Sequence, residues 1–357
     1  MYRDLSPTDP LTFVGLNDIA GMKAELTLAE LHDAMDLAWA DIREGRAFGG
    51  KAVLSLPEED FWQRSEFSAF RTDFAEQRLG WKLSSLYSVN TEFAAVKIIG
   101  ANAFNRTQGL ARSTSTILLL DKLTMRPLVV LDGTAISASR TGTYASTVFE
   151  RCLAHDRTIS VFLFGAGPIA QAVIACLNHV GSGRIRELFV RSRGLSGAIA
   201  MAQELQPRTA IRLIPVETNA RLRDCTFAIT ASNARQPVFK DDELCPDAVT
   251  LHLGGDEVPE SYLIRALRTG TVACDNLAMV SHRGSQSLAL HFKRKGLSLE
   301  TVGPILGLRD MSASPDWYRD GETPVCITCV GLPMLDLYAA QATYRKYLRL
   351  RALTRST

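Results

Sequence analysis

An α/β protein is predicted, with a doubly wound parallel sheet joined to a discontinuous α+β domain. Three observations predict it. Short apolar runs alternate with helix-like segments over 134–324, the pattern of parallel strands covered on both faces by helices. Strand-like runs separated by turn residues fill 80–131 before them, as in a sheet accompanied by one or two helices. A long segment with apolar residues at helical spacing, 332–350, comes after them. A helix in that place commonly returns to the first domain. The expected division is therefore 1–133 with 325–357 as one domain and 134–324 as the other.

In chain order, Thr27 with Glu30 three residues on forms a capping box for a helix over 28–44, since each side chain bonds the other's backbone N–H. Strands are expected at 80–87, 94–100, 114–121 and 127–131. Thr134 reads as the cap of a helix over 135–153, rich in small residues. Strands at 159–164, 188–191, 211–216, 226–230, 249–253 and 271–274 then alternate with helical segments, among them 169–180 and 196–205. A strand over 325–330 precedes the last helix.

The 357 residues are ample for two domains, and 46% apolar with 22% charged is an ordinary globular balance. The net charge is +2 and the basic residues are scattered, which excludes a dedicated nucleic-acid surface. The basic stretch from Tyr344 to Arg351 reads as a solvated helix end. Residues 1–20 carry acids and prolines where a secretory signal would have a basic start and an apolar core. No apolar run reaches the roughly 18 residues of a membrane helix; the best, 159–177, is broken by Gly165, Gly167 and Pro168. The seven cysteines are scattered, as reduced thiols of a cytoplasmic protein would be. Cys326 and Cys329 resemble a redox pair but sit in an extended apolar run, which favours packing. The six histidines show no metal-ligand spacing, so no metal is expected.

The strongest local signal is Gly165-Ala-Gly167-Pro-Ile-Ala170 between a strand and a helix. Gly165 permits the tight turn, Gly167 lets backbone approach a pyrophosphate, and Ala170 lets the helix lie close to the sheet. The helix start, with Pro168 and Ile169, supplies backbone N–H groups and a partial positive charge for phosphates. This is a Rossmann-type dinucleotide site. The second strand ends Arg191-Ser192-Arg193, without the acid that usually bonds the ribose 2′-OH of NAD. Two guanidiniums and a hydroxyl suit a 2′-phosphate, so NADP(H) is favoured over NAD(H); a solvated basic loop would read the same. Thr230 and Ser232, at the carboxyl end of a later strand, fit contact with the cofactor ribose, as they fit ordinary turn chemistry.

Further motifs come in a fixed order: Val96-Lys97, Asn105 with Gly109-Leu110, Leu118 to Asp121 with Thr124 and Pro127, and Asp132-Gly133 with Arg140-Thr141. After the glycine turn come Gly254-Gly255-Asp256, then Val330-Gly331-Leu332 with Asp336. In order and spacing the chain resembles the ornithine cyclodeaminase/mu-crystallin family from about residue 80 onward. The resemblance implies a two-domain subunit, a homodimer formed through the N-terminal sheet, and nicotinamide chemistry on amino acids held between the domains. It implies that Lys97 is the active-site lysine, Asp256 the general acid/base, and Arg140 an arginine near the substrate carboxylate and cofactor phosphates. The chemistry agrees: an arginine fork clamps a carboxylate, and an acid at a Rossmann strand end takes an amine proton or steers water onto an imine. A desolvated lysine transfers protons near neutral pH.

Two departures stand out. Cyclodeaminases carry an arginine on the strand before the lysine, where this chain has Lys82, a cation without the fork. They carry a small hydroxyl residue near the position of Arg112. Arg112, with His282-Arg283 and Gln286-Ser-Leu-Ala289, looks more like the siderophore-pathway branch. That branch oxidises N-(2-amino-2-carboxyethyl)-L-glutamate to 2,3-diaminopropionate and 2-oxoglutarate. Lys82, Arg112 and Arg140 are then the substrate-binding cations, although Arg112 could serve cofactor phosphate. The competing readings are an ammonia-releasing cyclodeaminase, an NADPH-dependent imine reductase, and a binding protein without activity.

Overall fold

Two compact units make up the computed structural model, which describes residues 11–156, 158–181, 183–317 and 321–355. The reading of residues 1–10 as part of a signal-free start lies outside the described residues.

The first unit gathers the described residues of Met1–Ser55, Trp81–Ser137 and Pro333–Thr357. Its strands are β1 (Thr12–Val14), β2 (Phe48–Ser55), β3 (Lys82–Val89), β4 (Phe93–Ala101), β5 (Ser113–Asp121) and β6 (Pro127–Asp132). They form one sheet in the order β1-β6-β5-β4-β3-β2, antiparallel throughout except for β1 beside β6. Period-2 alternation sends Leu86, Ala95, Lys97, Ile117, Leu119, Val129 and Leu131 to the buried face. The helix Pro333–Arg355 packs on that face and against the helix Leu28–Arg43. Asn90 donates to Gln341 at 2.7 Å, and Tyr338 donates to Asp41, both inside the unit. The capping box of Thr27 and Glu30 forms as read. Thr134, read as a cap, is instead the first residue of its helix; its N–H donates to Asp132 Oδ1 at 2.8 Å.

The second unit is Leu56–Gly80 with Ala138–Leu332. Here β7 (Ile159–Phe164), β8 (Ile185–Arg191), β9 (Arg212–Pro215), β10 (Phe227–Thr230), β11 (Val249–His252), β12 (Thr271–Cys274), β13 (Arg309–Asp310) and β14 (Val325–Thr328) form an eight-stranded sheet. Its order is β13-β12-β14-β11-β10-β7-β8-β9, parallel at every pairing. Succession runs outward from β7 through β8 to β9, then restarts on the other side at β10, so the order reverses between β7 and β10. Ligands of such sheets bind at that reversal, beyond the carboxyl ends of the strands. Every residue of β10, β11 and β14 is buried, as expected of strands covered on both faces.

Two segments fall elsewhere than the sequence reading put them. The sequence pattern puts the strand at 325–330 in the first domain, but β14 pairs with β11 on one side and β12 on the other. Val325, Cys326, Ile327 and Thr328 are all buried, which is the environment of a central parallel strand. Residues 56–80, counted with the first domain, belong to the second unit. Their helices Glu58–Trp62 and Ser65–Ser68 are too short to carry a 3.6-residue signal. Arg235 pairs with Glu58, and Arg78 N–H donates to Asn233 O at 3.1 Å, anchoring the segment beside β10.

Gly142, on the helix Thr134–Cys152, lies so close to the helix Pro168–Val180 that a Cβ there would stand 2.6 Å from the Ala172 carbonyl. Backbone cannot give way as a side-chain tip can. Gly142→Val is expected to cost about 1–3 kcal/mol, read as a fall of several degrees in Tm by calorimetry; an unchanged Tm would refute this close contact.

Candidate functional site

The glycine turn follows β7 at the order reversal. Gly165 has φ +127°, and a Cβ on it would stand 2.5 Å from Ala231 O, at the end of β10. Both conformation and space demand glycine there. Gly167, the N-cap of Pro168–Val180, makes no side-chain cap bond. Pro168 at the helix start needs no N–H partner. A Cβ on Gly167 would meet nothing within 4 Å. The first turn therefore presents its N–H groups to an open space, an arrangement suited to a phosphate. Ala170 is fully buried against the sheet. These residues fit a dinucleotide pyrophosphate.

The group after β8 divides. Arg191 donates through Nη1 to Asn219 Oδ1 at 2.7 Å and Val238 O at 3.0 Å, and through Nε to Glu217 O at 3.2 Å. Its guanidinium ties three loop oxygens together, a framework task that the sequence reading did not foresee. Ser192 donates to Gly194 O, and Arg193 is exposed.

Thr230 and Ser232 border the same crevice. Ser232 donates its N–H to Glu257 Oε1 at 2.9 Å, and its hydroxyl donates to the same oxygen. Thr230 Oγ1 lies 3.1 Å from His252 Nδ1. Burial pulls His252 down to about 3, so the ring is neutral and its nitrogens serve Thr230 and Thr250. Glu257 was missed in the sequence because Asp256 beside it carries the motif. It is fully buried, and its Oε2 fills the space that any side chain on Gly254 would need. Burial pushes its carboxyl up to about 7, against the opposing bonds from Ser232 and Thr230 and the charge of Arg78.

Asp256 forms an ion pair with Arg294 at 2.7 Å, with 17% of its side chain exposed. Arg140 is buried in the helix Thr134–Cys152, and its Nη1 lies 2.6 Å from where a Cβ on Gly331 would stand. Gly331 has φ +82°, so this turn too requires glycine. Beneath it is a carboxylate that the sequence reading left unassigned. Asp275 Oδ2 accepts from Tyr144 Oη (2.8 Å), Val330 N (2.9 Å) and Gly331 N (2.8 Å). Burial and then the Asp275 charge push the Tyr144 phenol well above its usual range, keeping it the donor. Tyr144 lies four residues after Arg140, one helical turn away on the same face. That spacing was the available signal.

In the first unit, Lys97 lies between Leu86 and Ile117 on the buried face. Its ammonium pairs with Asp336 Oδ1 at 2.6 Å and donates to Ser137 Oγ at 3.1 Å. Both charged side chains are at most 3% exposed. Removing one member of such a pair typically costs about 3–5 kcal/mol. Lys82 opens β3 on the same face, opposite Ala101 of β4, and Arg112 immediately precedes β5, half-buried. Lys82 and Lys97 are four β4 registers apart along the sheet, roughly 13 Å at about 3.3 Å per residue.

Among the described residues, no group of three or more His, Cys, Asp or Glu side chains is placed to hold a metal ion. None of the described helices is long and apolar enough to cross a membrane. Cys326 and Cys329 are buried thiols; burial pushes Cys326 up to about 12 and Cys329 well above its usual range.

A Rossmann-type glycine turn at the reversal of a parallel sheet, in a chain that also carries a separate α+β unit, defines the class of dinucleotide-binding two-unit proteins. The profile of the ornithine cyclodeaminase/mu-crystallin family matches residues 58–347, and the chain belongs to that family. It is 24% identical over 260 residues to alanine dehydrogenase from Archaeoglobus fulgidus, covering 72% of this chain and 77% of the relative. It is 23% identical over 301 residues to Delta(1)-pyrroline-2-carboxylate reductase from Bacillus cereus, covering 79% and 89%. Among solved structures, the Thermococcus litoralis Delta(1)-pyrroline-2-carboxylate reductase in complex with NADH and L-proline shares the fold. Its TM-score is 0.78 at 18% identity, over 95% of this chain and 98% of that one. The iminosuccinate reductase of Paracoccus denitrificans in complex with NAD+ does so at TM-score 0.71 and 17% identity, over 95% and 97%.

Glu257 gives the site a testable pH signature. Its folded pKa is raised, so its stability contribution is complete below 4.5 and is lost as pH rises through about 7. That shift corresponds to about 3 kcal/mol. Unfolding free energies of wild type and Glu257→Gln, measured by denaturant at pH 4.5 to 8, should diverge by that order in favour of the variant as pH rises. Parallel curves would refute the burial of an ionisable group there.

Proposed function

We propose that this chain is a nicotinamide-dependent oxidoreductase acting at the bond between Cα and nitrogen of an amino acid or its imine. The substrate we assign is N-(2-amino-2-carboxyethyl)-L-glutamate, released as 2,3-diaminopropionate and 2-oxoglutarate. The observation that carries the reading is the turn at Gly165 and Gly167, with its uncapped helix start open to solvent at the sheet's reversal. Support comes from relatives whose names specify this chemistry, an alanine dehydrogenase and a pyrroline-2-carboxylate reductase, and from structural neighbours in complex with NADH or NAD+.

When bound, the dinucleotide supplies a hydride acceptor or donor. The chain supplies the rest. Gly165, Gly167, Pro168 and Ile169 hold the pyrophosphate, and Thr230 and Ser232 the ribose. Ser192 and Arg193 are the groups offered to a 2′-phosphate, because Arg191 is engaged with loop oxygens; this supports NADP(H) use less strongly than three such groups would. Arg140 clamps the substrate carboxylate, Asp256 takes the amine proton and steers water onto the imine, and Lys97, held by Asp336, transfers a proton or binds a carboxylate. Lys82 and Arg112 bind a further carboxylate. Water then adds to the imine carbon and the C–N bond breaks. The pyrroline-carboxylate reductases among the relatives favour a second reading, NADPH-dependent reduction of a cyclic imine. The exposed side chains of Phe48, Leu83, Tyr87 and Ile98 on the first unit's sheet support a homodimer, as does the dimer named for an archaeal alanine dehydrogenase structure.

Absorbance at the nicotinamide band, with both nucleotides, tests the reading. Reduced nucleotide should accumulate with the assigned substrate. Net oxidation with Δ1-pyrroline-2-carboxylate alone would select the second reading, and ammonia release from ornithine without net redox change would select a cyclodeaminase. Gly167→Ala should leave Tm unchanged within about a degree yet weaken nucleotide binding at least ten-fold by calorimetry; unchanged affinity would remove the turn from the site. Lys97→Met and Asp256→Asn should each lower kcat by more than about 100-fold while nucleotide still binds; full turnover in both would defeat the assignment.

A further inference from the structure

The carboxyl edge of the second unit's sheet carries two arginines with no role so far. Arg283 ends the helix Leu277–Arg283. It donates through Nη1 to Val330 O at 3.0 Å and through Nε to Ser285 Oγ at 3.2 Å. The Ser285 carbonyl lies 3.5 Å from where a Cβ on Gly255 would stand, and the Arg78 guanidinium lies against that same position. Arg78 Nη2 reaches Arg235 O at 3.4 Å. Gly331, next to Val330, underlies Arg140. The groups therefore follow one another as Arg78, Gly255, Ser285, Arg283, Val330, Gly331 and Arg140, a row of three guanidiniums over two glycine ledges.

The carboxylates beside this row have other tasks. Asp275 accepts from Tyr144 and from the Val330 and Gly331 amides. Glu257 accepts from Ser232, and Asp256 pairs with Arg294. The bonds named for Arg283 and Arg78 end on neutral oxygens. A guanidinium fork held this way still offers parallel N–H groups to a carboxylate.

Resting on the reading above, we propose that Arg78 and Arg283 bind a second acidic group of the substrate, so that the site selects amino acids or imines carrying another carboxylate away from the reacting carbon. Glycine at 255 and 331 keeps the ledges low enough for the guanidiniums to lie over backbone. A substrate lacking the second carboxylate leaves the two guanidinium forks bonded only to neutral oxygens, a stronger basis for rejection than a missing methylene.

Binding of 2-oxoglutarate and of 2-oxopentanoate, a chain of equal length with one carboxylate, measured by calorimetry with and without NADH or NADPH, tests this. Wild type should bind the diacid at least ten-fold more tightly. Arg283→Gln and Arg78→Gln should each shrink that ratio at least five-fold while the monoacid changes little, and Arg283→Lys should restore part of it. Should Arg283→Gln lose its cooperative melt, the more peripheral Arg78→Gln decides. Equal binding of the two acids by wild type, or a preference that survives both substitutions, overturns the proposal. Failure of the broader reading looks different: no nucleotide binding and no turnover of any amino acid, whatever the diacid ratio.

Discussion

The second unit depends most on one buried carboxylate. Asp275 stands where β12 ends, and it gathers a phenol from the helix Thr134–Cys152 and two amides from the turn after β14. Three chain segments meet there, and an unsatisfied buried acceptor costs about 1–3 kcal/mol. The same acceptor sets the height of the Val330–Gly331 turn. Arg140 lies over that turn and Arg283 hangs from its carbonyl. Asp275 thus helps to set where two guanidiniums stand, through the turn that both of them contact.

The glycine turn and this cluster solve different problems in one sheet. At Gly165, a positive φ and the nearby Ala231 carbonyl exclude a side chain. At Gly167 nothing in the chain excludes one. At Gly331 a positive φ and the Arg140 guanidinium both exclude a side chain. Gly165 and Gly331 are therefore demanded by the chain's own backbone and neighbours, and Gly167 is not.

The strands of the second unit were legible because each is a short apolar run bounded by turn residues, and the nucleotide turn was legible because its three small residues have fixed offsets. The place of β14 was not, since a central parallel strand and a sheet strand of another domain share one composition. Lys97, Arg140, Asp256 and Asp336 were visible as motif members, but not which groups would pair. Asp336 and Arg294 come from distant segments, and nothing local announces that Lys97 will be buried against one or Asp256 paired with the other. The loop bonds of Arg191 were hidden for the same reason: its three acceptors lie 26 or more residues away in sequence. Glu257 was hidden by its neighbour, because burial and not residue type makes it unusual.

The Lys97–Asp336 pair also bears on biosynthesis. Lys97 leaves the ribosome early, on a strand whose inner face has as yet no lid; Asp336 arrives only with the helix Pro333–Arg355, after nearly all of the second unit has been made. Until then the Lys97 ammonium lacks the carboxylate that it meets in the folded chain, which disfavours its burial. The second unit, continuous from Ala138 to Leu332 apart from one short early segment, is free to fold first. Assembly of the lysine's environment is thereby deferred to the last stage of synthesis, and chains truncated within that helix should accumulate with a finished nucleotide fold and an unfinished sheet.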